Sequence, residues 1–295
     1  MKYSFIGSAV ALITPFQKNG QIDFEALEKL INFQIENGTD ALVVLGTTGE
    51  PSTMTIQEKH DVIEFSKRVI ENRAKLIVGT GGNNTEKVIE DSLYAKEHGA
   101  DALLIVTPYY NKCTQNGLLA HYAAVAESVK MPIIAYNVPG RTGVNISVET
   151  AVKLAEIPEI VGIKEASGNI DQIVRLCKAL RGKMAVYSGD DSLNYVVMAL
   201  GGSGSISVTA NVFPREVKEV IDCCLNNDYQ SALKHHEALL EVNKNMFIEV
   251  NPIPVKYACS LRGFGKGSVR MPLTELEDKN KEILKQSLSD FGIEF

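Results

Sequence analysis

The segment Ile160-Val161-Gly162-Ile163-Lys164-Glu165 is a short apolar run that ends in two charged residues. Similar runs, rich in Val, Ile and Leu, recur along the chain, and a longer stretch with helical periodicity follows each of them. The predicted strands are Ser8–Thr14, Ala41–Gly46, Lys75–Gly79, Ala102–Thr107, Ile133–Asn137, Ile160–Lys164, Ala185–Ser188 and Gly204–Val208. Parallel strands joined by crossover helices produce this alternation. Eight consecutive units predict an α/β fold, a closed (β/α)₈ TIM barrel, rather than an open doubly wound sheet of about five or six strands.

The stretches between the predicted strands carry helix signals at both ends. Asp23 and Thr55 each precede a helical stretch, and both residue types are good N-caps. Several predicted helices end at a glycine, namely Gly38, Gly99 and Gly182. These signals support the assignment of crossover helices between the strands.

The strand pattern stops at about Tyr229, and the rest of the chain reads as helices interrupted by Asn251-Pro252-Ile253-Pro254. We therefore predict a catalytic barrel over residues 1–227 and a C-terminal helical extension over residues 228–295. The same pattern also fits a tail that merely caps the barrel.

Composition indicates a globular protein that acts on small molecules. The chain has 295 residues, of which 45% are hydrophobic and 22% charged, with a formal net charge of −6. A net negative charge argues against nucleic acid or an anionic membrane as a partner. The longest apolar runs are far shorter than the ~18 residues needed to cross a bilayer. The five cysteines form no CxxC pair, so we predict free thiols and a cytoplasmic location.

Lys164 is the first candidate for chemistry, because the active site of a TIM barrel lies at the carboxyl ends of its strands. A lysine at the end of an apolar run loses hydration, which disfavours the ammonium and lowers its pKa. An amine nucleophile needs this property, since only the unprotonated amine attacks a carbonyl to form an imine. The alternative is an exposed rim lysine paired with Glu165.

Two further strand ends offer groups that suit a carbonyl compound bearing a carboxylate. Tyr136 lies near the end of the fifth strand and could transfer protons, while Arg141 follows the strand and could hold a carboxylate in bidentate fashion. Thr47 and Thr48 follow the second strand between two glycines, where their hydroxyl groups could also hold a carboxylate. A simple tight turn is the alternative for the threonines.

The fourth strand is followed by Tyr109 and Tyr110, which are either further phenols of the site or interface residues. No metal site is expected, because the histidines fall in helical segments away from the strand ends. The stretch Gly201-Gly202-Ser203-Gly204 resembles a phosphate loop. It precedes the eighth strand, on the face of the barrel opposite the active site, so we predict a tight turn.

In combination, these motifs resemble those of the class I pyruvate-dependent lyases, the family that includes dihydrodipicolinate synthase and N-acetylneuraminate lyase. The resemblance runs from Ala11-Leu12-Ile13-Thr14-Pro15-Phe16 to Asn251-Pro252-Ile253-Pro254-Val255-Lys256. It implies that Lys164 is the Schiff-base lysine and that Tyr136 shuttles protons. The resemblance also implies that Thr47 links Tyr136 to Tyr110. In this family that tyrosine reaches across a tight dimer interface into the active site of the partner subunit.

The resemblance also assigns substrate-binding positions. Thr48 resembles the donor to the pyruvate carboxylate, and Arg141 resembles the residue that receives the carboxylate of the aldehyde substrate. Gly189 and Ile206 match positions whose backbone lines the pocket. The implied reaction joins pyruvate to aspartate semialdehyde through an imine on Lys164, without an added cofactor. The family also implies a homotetramer built from two tight dimers.

Two alternative functions are compatible with the same fold. An N-acetylneuraminate lyase shares the lysine and the tyrosine, but usually carries Ser-Thr in place of Thr47-Thr48 and lacks an arginine at the position of Arg141. A keto-acid-binding sensor on the same fold would be expected to have lost Lys164 or Tyr136. The residues present favour the synthase reaction over both.

Many members of the family are inhibited by lysine bound at a dimer interface beside Tyr109. In sensitive relatives that site commonly contains a glutamate and histidines. The matching positions here hold Lys87 in place of the glutamate and Ile56 and Lys59 in place of the histidines, while Asn83 is retained.

These replacements change the charge that a lysine ligand would meet. Each change near a cationic ligand is worth on the order of 1 to 4 kcal/mol in a partly screened site. We therefore predict that lysine does not inhibit this protein. The alternative is that Lys87 faces solvent and that Glu50 or Glu86 receives the ligand's ammonium groups.

Overall fold

The computed structural model describes residues 4–293 and contains a closed barrel of eight parallel strands, in which each strand pairs with the next and the eighth pairs with the first. The strands are β1 Gly7–Ala11, β2 Ala41–Val44, β3 Lys75–Gly79, β4 Ala102–Val106, β5 Ile133–Asn137, β6 Ile160–Glu165, β7 Ala185–Ser188 and β8 Gly204–Ser207. The predicted TIM barrel is confirmed.

Helices follow the strands and continue beyond the barrel. They are α1 Phe24–Glu36, α2 Ile56–Ile70, α3 Thr85–Glu97, α4 Gln115–Val129, α5 Pro139–Thr142, α6 Val148–Leu154, α7 Ile170–Leu180, α8 Asn194–Ala199, α9 Pro214–Leu225, α10 Tyr229–Ala238, α11 Leu240–Asn245, α12 Ile253–Leu261 and α13 Asp278–Asp290. The predicted caps are confirmed: Asp23 caps α1, and Thr55 forms a capping box with Glu58 at the start of α2. No helix within residues 4–293 is long and apolar enough to cross a membrane.

Three strands have the predicted bounds, and the others differ from them by one to three residues. The difference is largest for β1, which ends at Ala11, and the backbone N–H of Ile13 donates to the side chain of Asn211 instead of to a strand. Strand β2 ends at Val44 because Leu45 has a φ of 55°, which takes the chain out of the extended conformation.

The amino-terminal end of the barrel is closed by aromatic packing. The ring of Tyr187 stacks on Phe5 with centroids 4.4 Å apart, and its hydroxyl donates to the Phe5 carbonyl. Gly162 leaves room for this ring, since a Cβ there would lie 2.7 Å from Tyr187 Cε2. Open space in the barrel is therefore found toward the carboxyl ends of the strands.

Candidate active site

Lys164 lies within the barrel near the end of β6, with only 4% of its surface exposed. It is the register partner of Tyr136 on β5, so both side chains point to the same face of the sheet. The Lys164 Nζ lies 4.5 Å from the centroid of the Tyr136 ring. The structure thus brings the amine and the phenol predicted from the sequence into direct contact.

The environment changes the protonation of both groups. Burial lowers the pKa of Lys164 to about 8; the Asp191 carboxylate opposes this shift, and the Arg141 guanidinium adds to it. Burial raises the pKa of Tyr136 to about 12, with Arg141 acting against the shift. Near neutral pH the phenol therefore keeps its proton, while the amine loses its own far more readily than an ordinary lysine does.

Glu165 is not the partner of Lys164, so the rim-lysine alternative is wrong. Successive strand residues point to opposite faces, and the Glu165 carboxylate lies on the side away from the barrel interior. There it accepts hydrogen bonds from Asn137 Nδ2 at 2.9 Å and from the backbone N–H of Ser167 at 2.7 Å.

Gly189, which follows β7, gives the lysine side chain its space. A Cβ at this position would lie 2.9 Å from both Cγ and Cε of Lys164 and 2.9 Å from Cβ of Ala166. These distances are shorter than real Cβ contacts, so any side chain here would displace the amine. The glycine at the end of the seventh strand therefore permits the observed position of Lys164.

A hydrogen-bonded chain joins three further residues at the mouth of the barrel. Asn251 Nδ2 donates to Thr48 Oγ1 at 2.9 Å, and Arg141 Nη2 donates to the Asn251 carbonyl at 3.1 Å. The Asn251 Oδ1 is buried and has no hydrogen-bond partner among residues 4–293. The arrangement leaves one amide acceptor and a guanidinium available to a ligand.

These groups surround a cavity of about 370 Å³, a size suited to small molecules. Six of the eight predicted site residues line it: Thr47, Thr48, Tyr136, Arg141, Lys164 and Gly189. Asp190, Val208, Asn243, Phe247 and Asn251 complete much of the remaining wall. The cavity wall thus combines residues at the strand ends with residues of the C-terminal helices.

The other two predicted residues lie elsewhere. Ile206 is fully buried in β8 as the register partner of Ala9, and the cavity wall near that strand includes Val208 instead. Tyr110 is 90% exposed with a φ of 69°, and its side chain is not part of the cavity within this chain.

Among the residues that sequence reasoning missed, Asp191 and Asn251 act directly on the predicted groups. Asp191 is 2% exposed, and its carboxylate accepts hydrogen bonds from the backbone N–H groups of Val208 and Thr209 at 2.9 Å each. Asn251 lies in the break between helical stretches of the tail, which was the one sequence signal that could have drawn attention to it. Both supply polar groups close to the predicted chemistry.

A second cavity, of about 310 Å³, shares Thr47, Tyr136 and Arg141 with the first. It extends toward α2 and α3, where Ile56, Lys59, Asp91 and Tyr109 are among the residues that line it. The predicted replacements at positions 56 and 59 therefore do face a cleft.

Lys87 is not in the wall of that cleft, and its Nζ contacts Asp91 Oδ1 at 2.8 Å and Glu90 Oε2 at 3.2 Å. Its charge is therefore balanced locally, which reduces the repulsion of a lysine ligand that was predicted for it. Glu50 is buried and paired with Lys256, so it is not available to a ligand in the cleft.

Within residues 4–293 no group of three or more His, Cys, Asp and Glu side chains is placed to hold a metal ion. All five cysteines are unpaired in the same part of the chain.

Together, the barrel, the buried amine of lowered pKa and the adjoining phenol define a protein that can form an imine with a carbonyl compound. Residues 4–291 match the dihydrodipicolinate synthetase family. The chain belongs to this family.

Relatives resemble the chain over nearly its whole length. A 4-hydroxy-tetrahydrodipicolinate synthase of Aquifex aeolicus is 49% identical over 290 residues, covering 98% of each chain. That of Clostridium novyi is 45% identical over 288 residues, covering 98% of this chain and 97% of the relative. A dihydrodipicolinate synthase from Acinetobacter baumannii, solved in complex with pyruvate, has 48% identity and a TM-score of 0.96, with 98% of this chain and 99% of that chain covered.

Proposed function

We propose that this protein is a lyase that condenses pyruvate with L-aspartate 4-semialdehyde to give 4-hydroxy-2,3,4,5-tetrahydrodipicolinate, the first committed step of diaminopimelate and lysine biosynthesis. The observation that carries the proposal is the buried Lys164 amine against the Tyr136 ring, inside a cavity at the strand ends. Full-length similarity to 4-hydroxy-tetrahydrodipicolinate synthases supports it.

The first half of the reaction forms an imine. The neutral Lys164 amine attacks the keto carbon of pyruvate, and loss of water from the carbinolamine gives the imine. Tyr136 is proposed to donate and recover the protons that this step requires, and the contact of its ring with the Lys164 amine supports this role. Loss of a proton from the former methyl group then gives an enamine, with the protonated imine as the electron sink. Thr48 is proposed to hold the pyruvate carboxylate.

The second half joins the aldehyde. The enamine carbon attacks the aldehyde carbon of aspartate semialdehyde, and the amino group of that substrate then displaces Lys164 as the ring closes. We assign its carboxylate to Arg141 and its ammonium group to the unpartnered Asn251 Oδ1, because both residues line the cavity and the guanidinium donates to the Asn251 backbone carbonyl. Gly189, which lines the cavity, is proposed to contribute backbone to the pocket.

The proton relay is proposed to include Thr47 and Tyr110. Thr47 lines the cavity with Tyr136, whereas Tyr110 is 90% exposed in the isolated chain. An exposed tyrosine close to the strand ends is well suited to contact a neighbouring subunit. We therefore propose a homotetramer of two tight dimers in which Tyr110 enters the partner's site.

We also propose the division into a catalytic barrel over residues 1–227 and a helical extension over residues 228–295. The extension supplies Asn251 and Phe247 to the cavity wall, so it would take part in the site. A cytoplasmic location is proposed as well.

Steady-state assays with the substrates of each candidate reaction test the function. Product formation from pyruvate and aspartate semialdehyde, without cleavage of N-acetylneuraminate, is expected. Cleavage of the sugar acid would indicate the neuraminate lyase reaction, and pyruvate binding without turnover of either substrate would indicate a sensor.

A further inference from the structure

The turn that carries Thr47 and Thr48 is anchored from the C-terminal helical part of the chain. Two short 3₁₀ turns, Thr47–Gly49 and Pro51–Thr53, meet at Glu50. Glu50 contacts Lys256 of α12, which lies 206 positions further along the chain. The threonine turn is therefore held by a contact distant in sequence, in addition to the one from Asn251.

The contact is a buried ion pair. Lys256 Nζ lies 2.5 Å from Glu50 Oε1, and the two side chains are 1% and 3% exposed. The second carboxylate oxygen accepts the backbone N–H of Arg270 at 3.0 Å. Lys256 Nζ also lies 3.8 Å from the centroid of the Phe16 ring. Each charge therefore has two partners, which fix its position.

The backbone of Glu50 requires such an anchor. Its φ of 55° and ψ of 41° are left-handed, a conformation that residues other than glycine seldom adopt. Its N–H donates to the Thr47 carbonyl at 3.1 Å and so closes the first turn. Movement of the Glu50 side chain would consequently change the orientation of both threonines.

A buried ion pair usually contributes little net stability. Desolvation of two charges often offsets their attraction, and apolar replacements of similar size are frequently as stable. The Glu50–Lys256 pair is better explained by the conformation that it imposes. Neither residue lines the active-site cavity, so the pair acts on the reaction only through the residues it holds.

We propose that Glu50 and Lys256 are positioning residues that hold the Thr47–Thr48 turn with its hydroxyl groups toward the cavity, and thereby set pyruvate binding and imine formation. This inference rests on the proposed function. It predicts a specific defect in the pyruvate half-reaction when the pair is removed.

The test compares two double variants. Glu50→Gln/Lys256→Met removes the anchoring pair without leaving an unpaired buried charge. Asp40→Asn/Lys218→Met removes a less buried ion pair at the opposite end of the barrel, in which Lys218 Nζ lies 3.0 Å from Asp40 Oδ2. Circular dichroism and thermal melting report folding, and steady-state kinetics report the pyruvate KM.

Borohydride trapping with pyruvate reports the rate of imine formation in each protein. The Glu50→Gln/Lys256→Met enzyme is expected to show a pyruvate KM raised at least about tenfold and slower trapping, because small misplacements of binding groups have large kinetic costs. The control pair is expected to lower only the melting temperature. A purely structural role would reduce the amount of active enzyme without a change in the pyruvate KM.

The outcomes separate this inference from the proposed function. If the unsubstituted protein is not trapped by pyruvate, the proposed function fails. If it is trapped, and the Glu50→Gln/Lys256→Met enzyme has the same pyruvate KM and trapping rate, the positioning role is wrong. Should that variant fail to fold, Glu50→Asp, which keeps both charges but shortens the anchoring side chain, is judged by the same two measurements.

Discussion

Lys164 and Tyr136 are register partners on adjacent strands, and the lysine nitrogen lies 4.5 Å from the centroid of the tyrosine ring. The barrel thus sets an amine that is readily deprotonated beside a phenol that stays protonated, with pKa values of about 8 and about 12. This pairing puts an amine and a protonated phenol at the same point, and imine formation requires both a nucleophile and a proton donor.

The pH dependence of the pyruvate half-reaction should follow Lys164. Its ammonium form is inactive, so kcat/KM for pyruvate should rise about tenfold per pH unit below the pKa of about 8 and level off above it. kcat/KM rises with pH because Lys164 reacts in its neutral form, and the rise ends near pH 8 because its pKa is lowered. A flat profile between pH 6 and 9, or an inflection near the value of an ordinary lysine, would contradict this assignment.

Gly189→Ala should displace the Lys164 side chain. The added Cβ would lie 2.9 Å from two carbons of Lys164, so we expect a loss of at least about a hundredfold in kcat/KM. Gly140→Ala is the matched control, because a Cβ there meets no atom within 4 Å. Similar activity of the two variants would show that Lys164 does not need this space.

Arg141→Leu should damage the second half-reaction more than the first. Loss of one partner of a charged contact typically costs about 2 to 5 kcal/mol where the contact is buried, and we expect this cost in kcat/KM for aspartate semialdehyde. The rate of borohydride trapping with pyruvate should fall much less, because Arg141 makes only the smallest contribution to the lowered pKa of Lys164. Equal damage to both steps would mean that Arg141 holds pyruvate or mainly positions Asn251.

Millimolar lysine is expected to leave the activity unchanged. The cleft beside Tyr109 is lined by Ile56 and Lys59, and the Asp91 carboxylate in it is already paired with Lys87. A cationic ligand would gain little there and would be repelled by Lys59. A steady-state titration decides the point, and inhibition that saturates below about a millimolar would overturn the charge argument.

The sequence predicted the features that depend on local pattern. The alternation of apolar runs with helical stretches was enough to predict the eight strands. The position of Lys164 at the end of such a run was enough to identify it as a candidate. The roles of Tyr136 and Arg141 came from their residue types and strand-end positions, and these roles stay predictions. The placement of both residues in the cavity agrees with them.

What the sequence did not predict depends on contacts between distant segments. The bond from Asn251 to Thr48 spans 203 positions, and the pair of Lys256 with Glu50 spans 206. Nothing in the periodicity of either segment indicates the other, because such contacts arise only when the barrel closes and the tail packs on it. The early end of β2 was missed for a local reason, the left-handed conformation of Leu45.

Trapping of the imine tests the central claim most directly. Borohydride and pyruvate together should inactivate the enzyme and leave a reduced adduct on the peptide that contains Lys164. Lys256 is an internal control: burial lowers its pKa to about 8 as well, but it is paired with Glu50 and does not line the cavity. An adduct on Lys164 alone, absent in Lys164→Ala, is the predicted result. An adduct on Lys256 or elsewhere, or near-normal activity of Lys164→Ala, would contradict the account.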